Sequence, residues 1–202
     1  SDVLRVGAKV IKCSIVDAVN PVVFVEAAGL GLRGDELPDE LNGNRNVLEA
    51  LEALRSEAAA RARIVEDSSV ATAESPGIPK VAFVAPPYDY TSVKGTVISA
   101  SGINVLARIM SMQKAHPAFA VGAAICTAVA AVHPGTVVAA ASRFDAGPAD
   151  SRTVVVSIGH PAGTMKVELT INREPGRPPV VAEAVVERTA RYLMRGNAFY
   201  RL

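Results

Sequence analysis

The 202-residue chain has no tryptophan, only four tyrosines and five phenylalanines, and no aromatics interleaved with basic runs. It therefore lacks the stacking platforms that hold single-stranded nucleic acid. Neither sign of charge dominates: 21 Lys and Arg stand against 20 Asp and Glu, a formal net charge of +1. That balance gives no electrostatic pull toward nucleic acid or an anionic membrane. Cysteine is scarce. Cys13 and Cys126 lie far apart without CxxC spacing, which indicates neither a zinc site nor a disulfide framework, and a reducing, cytoplasmic setting is expected. No cluster of His, Cys and Asp stands at metal-ligand spacing. The apolar stretch 117–132 is bounded by Lys114 and His133, short of the about 20 residues a membrane span needs.

What is present is hydrophobic mass. Half the residues are apolar and a fifth are charged, enough for one sizeable core or two small ones. The chain opens at Ser1 rather than Met, with strand-like sequence from Val3 and no signal or transit character, which fits either a processed chain or a piece of a longer protein.

The pattern along the chain is mixed α and β. Residues 10–16 and 22–25 read as strands around the Asn20-Pro21 turn, in a hairpin. Residues 29–43 are rich in Gly, Pro and acids and read as loop. Asn46 can cap a helix to about Arg63, with Leu48, Leu51 and Leu54 on one face and Glu49, Glu52, Arg55 and Glu57 outward. Residues 67–79 read as a flexible link. Strands are predicted at 80–85, 96–100, 105–110, 137–141 and 180–186, with 153–158 pairing 164–171 across His160-Pro161-Ala162-Gly163. A short helical turn from Thr189 is expected to end at Gly196.

The most informative run is Ser111 to Ala124, SMQKAHPAFAVGAA. A polar hook carrying Lys114 and His116 leads into Pro117, which is preset for the first turn of a helix. Residues 117–132 are apolar, small or hydroxylic, so this helix should be greasy on all sides and run through the middle of a domain. Its free N–H groups and dipole would favour a carboxylate or phosphate, with Lys114 supplying full charge. An ordinary solvated loop explains Lys114 and His116 equally well.

The segments DAVNPVVFV at 17–25, KVAFVAPP at 80–87, SMQKAH at 111–116, PGTVV at 134–138, IGHPAG at 158–163 and RTARYLM at 188–194 together resemble the PrpF family. That family includes methylitaconate and aconitate isomerases and a tautomerase of oxalomesaconate. The resemblance implies an α+β fold of the diaminopimelate epimerase type: two similar domains, each a bent mixed sheet wrapped around one hydrophobic helix, with the active site between them. Residues 1–202 would be a single second-half domain, with 41–79 as peripheral helix and linker and 117–132 as the central helix. A missing N-terminal domain would carry the principal proton-transfer residues, a lysine with a cysteine or serine.

The implied chemistry is a cofactor-free 1,3-proton shift that moves a C=C bond within a small unsaturated di- or tricarboxylic acid. His116 is the candidate proton carrier. Asn20, Lys114, Gly122, Ala123, His160, Gly163 and Thr164 are the candidate substrate-binding residues. An Asx turn would also account for Asn20, and a simple hairpin for the turn after His160. His133 belongs to the far end of the helix and reads as structural. Three features depart from the family pattern: Gly122-Ala123-Ala124 replaces T-G-A, Ala162 replaces the turn serine, and Cys126 falls inside the apolar rod, where packing is its expected role. The chain alone is expected to be inactive. The alternatives are a carboxylate-binding accessory module of the propionate pathway and a racemase or epimerase on the same scaffold. Self-association into a homo-oligomer through the surface left by the absent half is also expected.

Overall fold

The computed structural model describes residues 2–7, 9–144, 152–174, 176–187, 192–197 and 199. Its elements run β1 (Asp2–Val6), β2 (Lys9–Asp17), β3 (Pro21–Glu26), α1 (Pro38–Asn42), α2 (Arg45–Arg61), α3 (Ala71–Glu74), β4 (Lys80–Ala85), β5 (Tyr90–Thr91), β6 (Val97–Ile98), β7 (Val105–Ser111), β8 (Lys114–Ala115), α4 (Val121–Val132), α5 (Val137–Ala141), β9 (Thr153–His160), β10 (Gly163–Asn172) and β11 (Val180–Val186).

One sheet carries the order β1-β2-β3-β4-β7-β9-β10-β11, with β8 on β7 and β5-β6 as a separate ribbon. Two neighbouring pairs, β3 with β4 and β7 with β9, are parallel. Parallel neighbours need a crossover, and helices supply both. The crossover from β3 to β4 contains α1, α2 and α3, and the one from β7 to β9 contains α4 and α5. The helices lie on opposite faces, so the central strands are buried on both sides and read as continuous apolar runs rather than as alternation. Val22 and Phe24 face the core of α4 and α5, while Val23 and Val25 face that of α1 and α2.

Strands from both sides of the sheet, β2 and β3 at one end and β9, β10 and β11 at the other, touch α4. The sheet therefore bends around this helix. Eight of its residues, among them Ala123, Ala124, Cys126 and Thr127, are buried. Val121, Gly122, Ile125 and Val129 are half-buried; the latter two line a groove of about 440 Å³ against Val19 and β11. The helix is thus enclosed along most of its circumference rather than all of it. Among the described residues no helix is long and apolar enough to cross a membrane.

Several expectations need correction. The central helix starts at Val121, four residues after Pro117, because Phe119 leaves the chain to fill a core position at 3% exposure. Residues 137–141 form a helix, not a strand, since the Thr136 hydroxyl accepts from Ala139 N and caps it. The expected loop at 29–43 contains α1, opened by Pro38. Asn44 rather than Asn46 caps α2, accepting from Val47 N at 3.2 Å. Arg55 points inward, 3% exposed; it donates to both Glu52 oxygens and to the Ser75 and Ile78 carbonyls. The expected link at 67–79 carries a 3-10 turn and α3. Of the expected strand at 96–100 only Val97–Ile98 is extended pairing. The expected turn at 189–196 lies partly outside the described residues, and 192–197 carry no regular structure.

Strand β9 passes its neighbours at contact distance. A Cβ on Gly159 would sit 2.8 Å from Ile103 Cδ1, 3.0 Å from Leu106 Cδ2 and 3.1 Å from Tyr90 Cε1. Gly159→Ala is expected to destabilise the chain by about 1–3 kcal/mol through overpacking, read as a lower urea midpoint at unchanged slope. An unchanged midpoint would mean that these three side chains yield freely.

Candidate functional site around the amino end of helix α4

The hook is a two-residue hairpin. Met112 and Gln113 have φ of 52° and 60°, the left-handed pair of a type I′ turn, and Ser111 pairs with Lys114 and Met110 with Ala115. Met110 and Ala115 belong to the core on the α1 and α2 side. By alternation Ser111, Lys114 and His116 project on the α4 side.

Strand β8 occupies the place beside β7 that β9 leaves. β9 pairs with β7 only as far as Leu106 with Gly159, and His116 N donates to Ile109 O at 2.9 Å just beyond. His116 and His160 therefore lie on either side of this gap, close enough for the charge of one to act on the other. Each has the same local geometry: Ala118 N donates to His116 Nδ1 at 3.1 Å, and Ala162 N to His160 Nδ1 at 3.2 Å. An imidazole whose Nδ1 accepts carries its neutral-state proton on Nε2. In this arrangement His116 presents a donor, not a lone pair.

His160 is 5% exposed, its ring 6.4 Å from that of Phe119. Burial pushes its pKa down to about 4; the Thr164 carbonyl opposes this, and the charges of Arg108 and His116 add to it. The turn after it is fixed from the opposite face. Tyr90 OH donates to the His160 carbonyl at 2.9 Å and also bonds the Gly163 carbonyl. Arg108, 1% exposed, donates to the carbonyls of Glu36, Ala107 and Gly159 and lies 5.3 Å from the Tyr90 ring centre. Gly163, with φ of 136°, makes the reversal that an L side chain would strain. His160 thus supports the loop leading into α4 from beneath.

The amino end of α4 abuts the turn between β2 and β3. A Cβ on Gly122 would fall 2.3 Å from Asn20 Nδ2, so the absence of a side chain there is what seats the Asn20 amide over the first turn. No side chain caps α4 and no acid lies in its first turn, which leaves its leading N–H groups and positive dipole end uncompensated. Ala123 contributes backbone only; its side chain is buried. The sequence candidates Asn20, Lys114, His116, Gly122 and Ala123 are thus gathered on the α4 face at one end of the sheet. Thr164 is not among them: the α4 core takes Met165, Val167 and Leu169, so Thr164, exposed, projects from the other face. His133 sits at the opposite end of α4, its Nδ1 2.8 Å from Val129 O.

Sequence reasoning missed two polar residues here, Lys80 and Ser111, whose side chains meet at 3.5 Å. Lys80 opens the motif at 80–87, and only the register reveals its neighbour. Cys126 is buried, its Sγ donates to Val16 O, and burial pushes its thiol up to about 12. Among the described residues no three His, Cys, Asp or Glu converge to hold a metal ion. A cavity of about 620 Å³ lies elsewhere, against α2, and Glu49, Glu52 and Glu57 line it. Arg5 lines it too, and Glu49 and Glu52 are ion-paired with Arg45 and Arg55.

A bent mixed sheet around one uncharged helix places the chain in the architecture of a solved methylitaconate-delta-isomerase, with a TM-score of 0.78, 34% identity, and coverage of 93% of this chain and 48% of that one. The family described as PrpF protein matches residues 1–201, and the chain belongs to the PrpF family. It is 37% identical over 199 residues to 3-methylitaconate isomerase of Eubacterium barkeri, which covers 98% of this chain and 50% of that protein. It is 36% identical over 196 residues to 2-methyl-aconitate isomerase of Shewanella oneidensis, covering 96% and 47%. The chain spans about half the length of these relatives.

The buried imidazole makes stability depend on pH. Above about 6.5 His160 is neutral in both states; between there and about 4 only the unfolded chain takes up the proton. Stability is therefore expected to fall as pH drops through that window. Urea midpoints at pH 7 and 5 should differ in that sense, and less so in His160→Gln. An equal slope in the variant would contradict a neutral buried His160.

Proposed function

We propose that this chain supplies the carboxylate-binding half of an isomerase active site, which moves a C=C bond by a 1,3-proton shift in a small unsaturated di- or tricarboxylic acid of the aconitate, methylitaconate or oxalomesaconate type. The observation that carries the reading is the gathering of Lys114, Asn20 and a donor-presenting His116 at an uncapped helix terminus without an acid in its first turn. The names of the relatives, methylitaconate and methylaconitate isomerases, support the substrate class.

The reaction needs a base to remove an allylic proton α or γ to a carboxylate, an acid to return one at the other end of the allyl system, and donors for the negative charge that develops in between. This half is built for the last task. The α4 N–H groups and Lys114 would hold a carboxylate and stabilise enolate-like charge on it, a contribution commonly worth about 2.7–4 kcal/mol per well-placed donor. His116, with Nδ1 occupied, would act through Nε2–H as donor or acid. The base would come from a second domain facing this surface. Cys126, held inside α4, disfavours a racemase, which needs a reactive thiol at this helix entry.

The full-length protein in D₂O is expected to incorporate deuterium into at least one acid of an aconitate, methylitaconate and oxalomesaconate panel without added cofactor, followed by proton NMR. His116→Ala should slow that exchange by about 10²–10⁴-fold. Saturable binding of these acids without any exchange would instead favour a carboxylate-binding accessory module.

A further inference from the structure

Lys80 stands apart from the strand it begins. The next five residues of β4 are all buried, while Lys80 is half-buried. Register pairs it with Val22, two residues after Asn20, and sets it on the same face as Ala82 in the α4 core. Its Nζ reaches Ser111 Oγ on β7 at 3.5 Å, and Ser111 is in turn the hairpin partner of Lys114. Strand pairing therefore brings two lysines from distant parts of the chain to either side of one serine.

Neither lysine has an ion-pair partner among the described residues. A half-buried ammonium gives up hydration, and one long hydroxyl contact replaces little of it. A second ammonium nearby adds repulsion. Two uncompensated cations beside a positive helix end form a local field that an acid with several carboxylates would relieve, each group taking its own partner. The buried stem of Lys80 restricts where its head can go, whereas Lys114 rides on an exposed hairpin.

We propose that Lys80, oriented by Ser111, binds a second substrate carboxylate and makes the site selective for acids with at least two. This rests on the isomerase reading above and adds a specificity residue to it. In an ion-pair-poor environment the first carboxylate would dock at the α4 terminus with Lys114 and the second against Lys80, fixing the allyl carbons between them.

The test uses the full-length protein with propane-1,2,3-tricarboxylate and crotonate as competing ligands of the exchange reaction. Lys80→Met should weaken inhibition by the tricarboxylate on the order of tenfold, the loss of one charge-assisted bond, and leave inhibition by the monocarboxylate unchanged. KM for the polycarboxylate should rise more than kcat falls. Lys80→Arg should recover most of the affinity and Ser111→Ala lose part of it, while circular dichroism melting checks that each variant folds. If Lys80→Met and Lys80→Gln leave both inhibition constants unchanged while Lys114→Met raises them, Lys80 has no such role and the isomerase reading stands. If the wild-type protein neither exchanges deuterium nor binds the tricarboxylate, the functional reading fails, and the role of Lys80 with it.

Discussion

The structure depends on burying an uncharged helix within a curved sheet. Helix α4 carries no charged side chain, so the sheet can close around it from β2 on one side and from β10 and β11 on the other without desolvating a charge. Curvature brings strands that are distant in sheet order to one helix. The same enclosure leaves the polarity of α4 in its backbone termini. Because Ala120 offers no cap, the amino end leaves unsatisfied N–H groups beside the turn that holds Asn20.

Two further packing choices shape the surroundings of that terminus. Gly122 lets Asn20 lie against the first turn at a distance that any side chain would forbid. On the opposite face Arg108 and Tyr90, both buried, hold the backbone of the turn after His160 by its carbonyls. His160 in turn meets Phe119, which anchors the loop entering α4. Rigid support beneath and cationic side chains above are what differential stabilisation of a developing charge requires, since preorganised donors need not reorient during the reaction.

Much of this was legible in the sequence, and the misses have physical causes. The strands at 80–85, 105–110 and the 153–171 hairpin were readable because continuous or alternating apolar residues leave few other options. The apolar rod was readable as a largely buried helix, and the polar hook as the segment that precedes its amino end. The start of that rod was misread because nothing local shows that Phe119 is needed by the core or that Ala118 N would close onto His116. VVAAA at 137–141 suits strand or helix by composition, and the deciding bond comes from Thr136 outside it. Arg55 was placed outward because its carbonyl partners lie 20 and 23 residues further on. Thr164 and Lys80 show the same limit in opposite directions: their faces are set by register, which turns Thr164 away from the α4 face and Lys80 onto it.

The central claim is that the amino end of α4 receives a carboxylate, and amide chemical shifts of the ¹⁵N-labelled 202-residue chain test it most directly. Titration with propane-1,2,3-tricarboxylate should shift Val121, Gly122 and Ala123 saturably, together with the Asn20 side-chain amide, while its trimethyl ester should not. Shifts confined to the α2 cavity, or equal shifts with the uncharged ester, would contradict the account.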